Sequence, residues 1–121
     1  MISKQIFDGT AITKNTSSDS EVIDMIAAGC TDGLCSLHIT ETGDGTSKYT
    51  YLLSCDGGQN YVEQSATADV ITEGFVKTSG PGGDGKDVIE FEVELCTNLK
   101  IRVTETGNSS TIKPNVWLCA K

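Results

Sequence analysis

The chain has 121 residues, of which 9 are basic and 17 acidic, so its formal charge is −8. At a pI near 4.4 and without a Lys/Arg cluster, it lacks the basic stripe that displaces counterions from phosphate, which excludes nucleic acid and anionic membranes as partners. The length predicts one domain that buries its own core without metal or disulfide staples, and no run approaches the roughly 18 apolar residues of a membrane-spanning helix.

Residues 1–20 are polar and Ser/Thr-rich, with a small apolar set at Ile2, Ile6, Phe7 and Ile12. They predict an arm or edge segment against a main domain over 21–121, and these four residues are the candidate contact with a partner. The opening Met-Ile-Ser-Lys-Gln-Ile-Phe-Asp lacks the apolar stretch of a signal peptide, so synthesis in a cytoplasm is expected. Five cysteines, an odd count without an export signal, predict free thiols rather than a disulfide framework. Cys30 and Cys35 have no matching second pair, and His38 does not complete a zinc spacing, so no metal is assigned there.

Period-two alternation recurs along the chain and no helical period is sustained, which predicts an all-β domain, an antiparallel β-sandwich or jelly roll of about eight strands. Shifting the chain by 64 positions superposes Ile39-Thr40-Glu41-Thr42-Gly43 on Val103-Thr104-Glu105-Thr106-Gly107 and Cys55 on Cys119. This echo is consistent with an internal duplication of a strand, turn, strand unit, or with two connections built from similar residues. In either case Gly43-Asp44-Gly45 and Gly107-Asn108-Ser109 are turn chemistry that opens a long hairpin or a crossover.

Tyr49, Tyr51, Leu53 and Cys55 alternate with Lys48, Thr50, Leu52 and Ser54, and Asp56-Gly57-Gly58 then signals a hairpin into Tyr61-Val62. Cys55 and Cys119 lie in strand-like runs and read as small buried hydrophobes. Ala68 to Ile71 and Phe75 to Thr78 read as short strands about a turn at Glu73-Gly74, and Ser79 to Asp87 as a loop rich in Gly. In Val88 to Leu95, Ile89, Phe91, Val93 and Leu95 share one face and Glu90, Glu92 and Glu94 the other. A three-residue loop of Cys96, Thr97 and Asn98 would fold that strand onto Leu99 to Thr106, setting Glu94 opposite Lys100 and Glu92 opposite Arg102. Asn115 to Ala120, after Pro114, gives a closing strand that carries Trp117.

Catalytic chemistry is not visible, and the reading is of a non-enzyme without cofactor. His38 is the one histidine, and in a strand it faces away from Leu37 and Ile39; no nucleophile elbow, Walker loop or dinucleotide fingerprint occurs. Asp44, Asp84 and Asp87 do not match a calcium loop and read as turn residues. The row of glutamates reads as a wet strand face rather than a hydrolytic pair.

Tyr51-Leu52-Leu53-Ser54-Cys55-Asp56-Gly57-Gly58-Gln59-Asn60-Tyr61-Val62, followed by a Gly-rich loop and Leu99-Lys100-Ile101-Arg102-Val103-Thr104, resembles the small β-sandwich structural proteins of tailed bacteriophages. In these a strand ends in Ser-x-Asp-Gly-x-Asn-aromatic-Val and a later one reads apolar-Lys-apolar-Arg-Val-Thr. The likeness spans roughly residues 20 to 121; Cys55, where such proteins often carry Asn, and the cysteine count depart from it. The resemblance implies a virion component: a head decoration or cement protein, with the major capsid protein or other virion proteins as partners. A homo-oligomer, with a trimer favoured, is then expected. The alternative is a tail- or fibre-associated carbohydrate-binding sandwich, for which Tyr49, Tyr51, Tyr61 and Trp117 are the candidate stacking platforms.

Overall fold

The computed structural model describes residues 1–63, the backbone of 69–75, and residues 85–107 and 111–121. Ten strands are formed among these: β1 (Ile2–Asp8), β2 (Ser17–Asp19), β3 (Ile23–Asp24), β4 (Leu34–Gly43), β5 (Ser47–Ser54), β6 (Val62–Glu63), β7 (Asp69–Phe75), β8 (Lys86–Glu92), β9 (Asn98–Glu105) and β10 (Ile112–Ala120). They make two antiparallel sheets, a β-sandwich. Sheet A runs in the order β1-β10-β4-β8; sheet B runs β2-β9-β5-β6, with β3 also on β9 and β7 also on β5.

The period-two alternation explains the layering. Leu37 and Ile39 of β4, Leu99, Ile101 and Val103 of β9, and Val116 and Leu118 of β10 are fully buried between the sheets, each side chain contributing about 1.5–3 kcal/mol by leaving water. Tyr49 and Tyr51 join them from β5. Pro114 is accommodated inside β10 because its ring nitrogen lies on the β1 side, where pairing with β1 stops at Asp8↔Asn115. On the other side Glu41, paired with Pro114, sends its N–H to Gly85 instead.

Several sequence expectations are corrected. The strand from Lys86 does not fold back on β9: β8 pairs with β4, as in Leu37↔Ile89, and β9 pairs with β5, as in Tyr51↔Ile101. The connection crosses between the sheets. The Val93 N–H bonds the Gly33 carbonyl beside β4, and four residues later the Thr97 N–H bonds the Ser54 carbonyl at the end of β5. Leu95, expected in the core, is 89% exposed on this crossing. Ile89 and Phe91 are half-buried because β8 is an edge strand.

The turn expected at Glu73-Gly74 is instead part of β7, a continuous strand with irregular pairing to β5. Lys86 and Asp87, expected in the loop, begin β8. Ala68, Val76–Thr78, residues 79–84 of that loop, and Asn108-Ser109 of the second turn lie outside the described residues. The Asp56-Gly57-Gly58 hairpin leads into β6, with Leu53 opposite Val62.

The two Thr-Glu-Thr-Gly copies each end a strand that changes sheet: β4 in sheet A leads to β5 in sheet B, and β9 in sheet B leads to β10 in sheet A. Each copy's first strand pairs with the other's second, β4 with β10 and β9 with β5.

Candidate partner-binding edge

Residues 1–20 supply one edge strand to each sheet. Among the described residues β1 is held by β10 on one side only, and a register shift between Gln5 and Phe7 bulges the strand at Ile6. Opposite it, β2 pairs with β9 and is anchored by Arg102, whose Nε and Nη2 donate to Asp19 at 2.7 and 3.2 Å. Between these two edges lies a groove of about 390 Å³, lined by Gln5, Ile6, Phe7, Asp8, Thr10, Ser18 and Asp19. Ile6 and Phe7 are its apolar part, and Gln5, Asp8, Thr10, Ser18 and Asp19 make the rest of its lining polar. Asp8 is held below the usual carboxylate range by the hydroxyl of Thr10, which donates to it at 2.6 Å.

The four sequence-predicted contact residues are placed unequally. Ile6 and Phe7 line the groove, Ile6 being buried and Phe7 half-buried. Ile2 is half-buried at the opposite end of β1, against Ala120. Ile12 is buried and exchanges both backbone hydrogen bonds with Ile112, at 2.8 and 3.0 Å. Ile6 and Ile12 therefore anchor the segment from beneath, and the surface open to a partner is the outer edge beside Phe7 and Thr10.

The residues that carry the phage-protein resemblance have structural duties. Asp56 Oδ1 accepts the Ser54 hydroxyl at 2.6 Å and the N–H groups of Gln59 and Asn60 at 3.0 Å each, while Oδ2 accepts the Asn60 amide at 2.8 Å. These bonds hold the Asp56 carboxyl far below its ordinary range. Tyr61 lies under the Lys100 ammonium, 4.1 Å from the ring centroid. Ser54-Cys55-Asp56-Gly57-Gly58-Gln59-Asn60-Tyr61 is thus a turn fixed by one aspartate.

Sequence reasoning missed a buried carboxyl pair. Glu41 is 2% exposed and Glu105 fully buried. Glu41 reaches from sheet A to β5 of sheet B, where its Oε1 accepts the hydroxyls of Ser47 at 2.6 Å and Tyr49 at 3.0 Å. Burial pushes the Glu41 carboxyl up to about 7; the two hydroxyls work against this and the nearby Glu105 adds to it. Glu105 Oε2 accepts the N–H groups of Thr46 at 2.8 Å and Gly107 at 2.9 Å. The signal was present in the alternation, since Leu37, Ile39, Glu41 and Ile101, Val103, Glu105 continue the core parity.

The thiols are free. Cys30 and Cys96 line a cavity of about 120 Å³ beside Met25 and Val93. Burial lifts the Cys35 thiol to about 12 and that of Cys96 to about 11, which keeps both protonated and unreactive. Cys55 is exposed and Cys119 half-buried, so neither is the core hydrophobe expected of it. Among the described residues no group of three or more His, Cys, Asp or Glu is placed to share a metal ion. Of the four aromatics expected as stacking platforms, Tyr49 and Tyr51 are buried and Tyr61 is half-covered. Trp117, 46% exposed, remains available.

No protein-family model matches the chain, and no curated protein matches it. Among solved structures, one titled "Structure of infectious bursal disease virus Gt strain" is similar over 97% of this chain, at 11% sequence identity and a TM-score of 0.42. The chain spans 30% of that neighbour's length.

Proposed function

We propose that this chain is a non-enzymatic structural protein of a virion, a capsid decoration protein that binds and stabilises the head shell of a tailed bacteriophage. The observation that carries the reading is the edge position of β1 among the described strands, beside a mostly polar groove that holds Ile6 and Phe7, ready for a strand or loop of a shell subunit. The partner is the major capsid protein or another virion protein, and the working form is a homo-oligomer, a trimer about a local axis. The charge of −8 keeps many copies apart from one another and from packaged DNA before they dock. Many modest contacts then add up over the shell. The non-enzymatic reading is supported by the sealing of Glu41 and Glu105 between the sheets, where no substrate reaches them.

The test adds purified protein to expanded capsids that lack decoration protein and follows co-sedimentation and capsid melting. The protein is expected to bind and to raise the melting temperature of the shell. Thr10→Arg, an exposed change on the groove rim, is expected to weaken binding at least about tenfold, equivalent to about 1.4 kcal/mol. The melting temperature of the isolated protein should stay as it was. Unaltered capsid binding by this variant overturns the placement at β1, and no binding by the parent chain overturns the function.

A further inference from the structure

The outer face of sheet A, on the side away from the core, carries the only tryptophan of the chain at its centre. Register places Asn115 beside Thr40, Trp117 beside His38 and Cys119 beside Ser36 across the two central strands. Along the central row, Gln5, Trp117, His38 and Val88, no carboxylate or lysine occurs. Ionised groups flank this row: Asp8 stands opposite Asn115, Lys86 opposite Thr40, Glu90 opposite Ser36 and Glu92 opposite Leu34, with Lys113 toward the start of β10. In a chain of charge −8, an uncharged row of this kind opposes neither the approach nor the desolvation of an uncharged ring laid along it. The face also carries directional groups in reach of the indole. Gln5, opposite Trp117 on β1, donates through Nε2 to Asn115 Oδ1 at 2.9 Å, which fixes both amides beside the ring.

We propose that this face binds a neutral glycan, with one pyranose ring lying on the Trp117 indole and its hydroxyls hydrogen-bonded by Gln5, Asn115, Thr40 and His38. An exposed aromatic presents a flat π-surface to the C–H face of a sugar, and fixed amide and hydroxyl groups around it read the equatorial hydroxyls. A protein partner would be expected to need a larger apolar core than one indole and Val88 provide. The site shares Gln5 with the β1–β2 groove but is centred one strand further into sheet A, on Trp117 of β10.

The single tryptophan makes the test direct. The full chain is screened on an array of neutral gluco-, galacto- and manno-configured oligosaccharides with sialylated and sulfated ones beside them. Hits are then titrated by intrinsic fluorescence. The expected result is binding to at least one neutral oligosaccharide, with a saturable change in Trp117 emission. Trp117→Ala should abolish array binding, Trp117→Phe should retain a weakened form of it, and Asn115→Ala should reduce affinity several-fold, all with unchanged melting temperature. The proposal is overturned if neutral oligosaccharides at millimolar concentration neither bind nor alter the emission, if Trp117→Ala binds like the parent, or if only charged glycans are retained. An emission change that follows protein concentration without sugar also overturns it, because the face would then be an interface between copies.

Discussion

Replacing Glu41 by glutamine is expected to raise stability at pH 8 by about 2–3 kcal/mol and to flatten the dependence of stability on pH. In the folded chain Glu41 takes its proton near pH 7, against an ordinary value of 4.5. Between those values the folded state holds a proton that the unfolded state has released, so stability falls as pH rises through this window. The slope reaches about 1.4 kcal/mol per pH unit, and the fall is complete above about pH 7. Below about pH 4.5 both states are protonated and the contribution is constant. Glutamine imitates the neutral acid: its carbonyl oxygen keeps the hydrogen bonds from Ser47 and Tyr49, and nothing has to be neutralised. Urea unfolding at pH 5 and pH 8 checks this. A parent chain equally stable at both pH values would refute the buried, proton-holding Glu41.

Gly43→Ala is expected to lower stability by about 2–4 kcal/mol, combining a strained backbone with a backbone clash. Gly43 has φ near +102°, and a Cβ there would stand 2.2 Å from the Thr111 carbonyl oxygen and 3.2 Å from Ile112 Cα. Neither neighbour is a side chain that can swing away. Gly43 is opposite Ile112 at the last step of the β4–β10 pairing, so relief requires those strands to part where sheet A ends. Gly57→Ala is the control: φ is +77° but nothing lies within 4 Å of the added carbon, so only the left-handed conformation costs, about 1–2 kcal/mol. Thermal unfolding of the two variants separates these contributions. Equal melting temperatures would refute the close approach at Thr111.

The strands and their inward faces were legible because burial selects alternate residues, as at Leu99, Ile101 and Val103. Which sheet a strand joins was not. Alternation fixes the face a side chain presents but is the same whether the next strand turns back or crosses over. Thus Cys96-Thr97-Asn98 read as a tight hairpin, and the charge pairing of Glu92 with Arg102 looked supportive. Arg102 is in fact bonded to Asp19, on a strand too short and polar to be seen in the sequence. Such pairs are each worth under about 1 kcal/mol and cannot outweigh the hydrogen bonds that tie Val93 to one sheet and Thr97 to the other. The apolar set at Ile2, Ile6, Phe7 and Ile12 was visible, but the groove beside it was not, since its other wall comes from β2. Glu41 and Glu105 were passed over because a glutamate in a strand suggests water, although their parity put them inside.

β10 occupies the middle of sheet A, between β1 and β4. In chain order it follows every other described strand, so β1 and β4, more than 20 residues apart, wait for the spine that joins them. A nascent or prematurely ended chain would display neither the cleft beside Phe7 nor the indole of Trp117. The two surfaces would thus arise together, once β10 has seated between its neighbours.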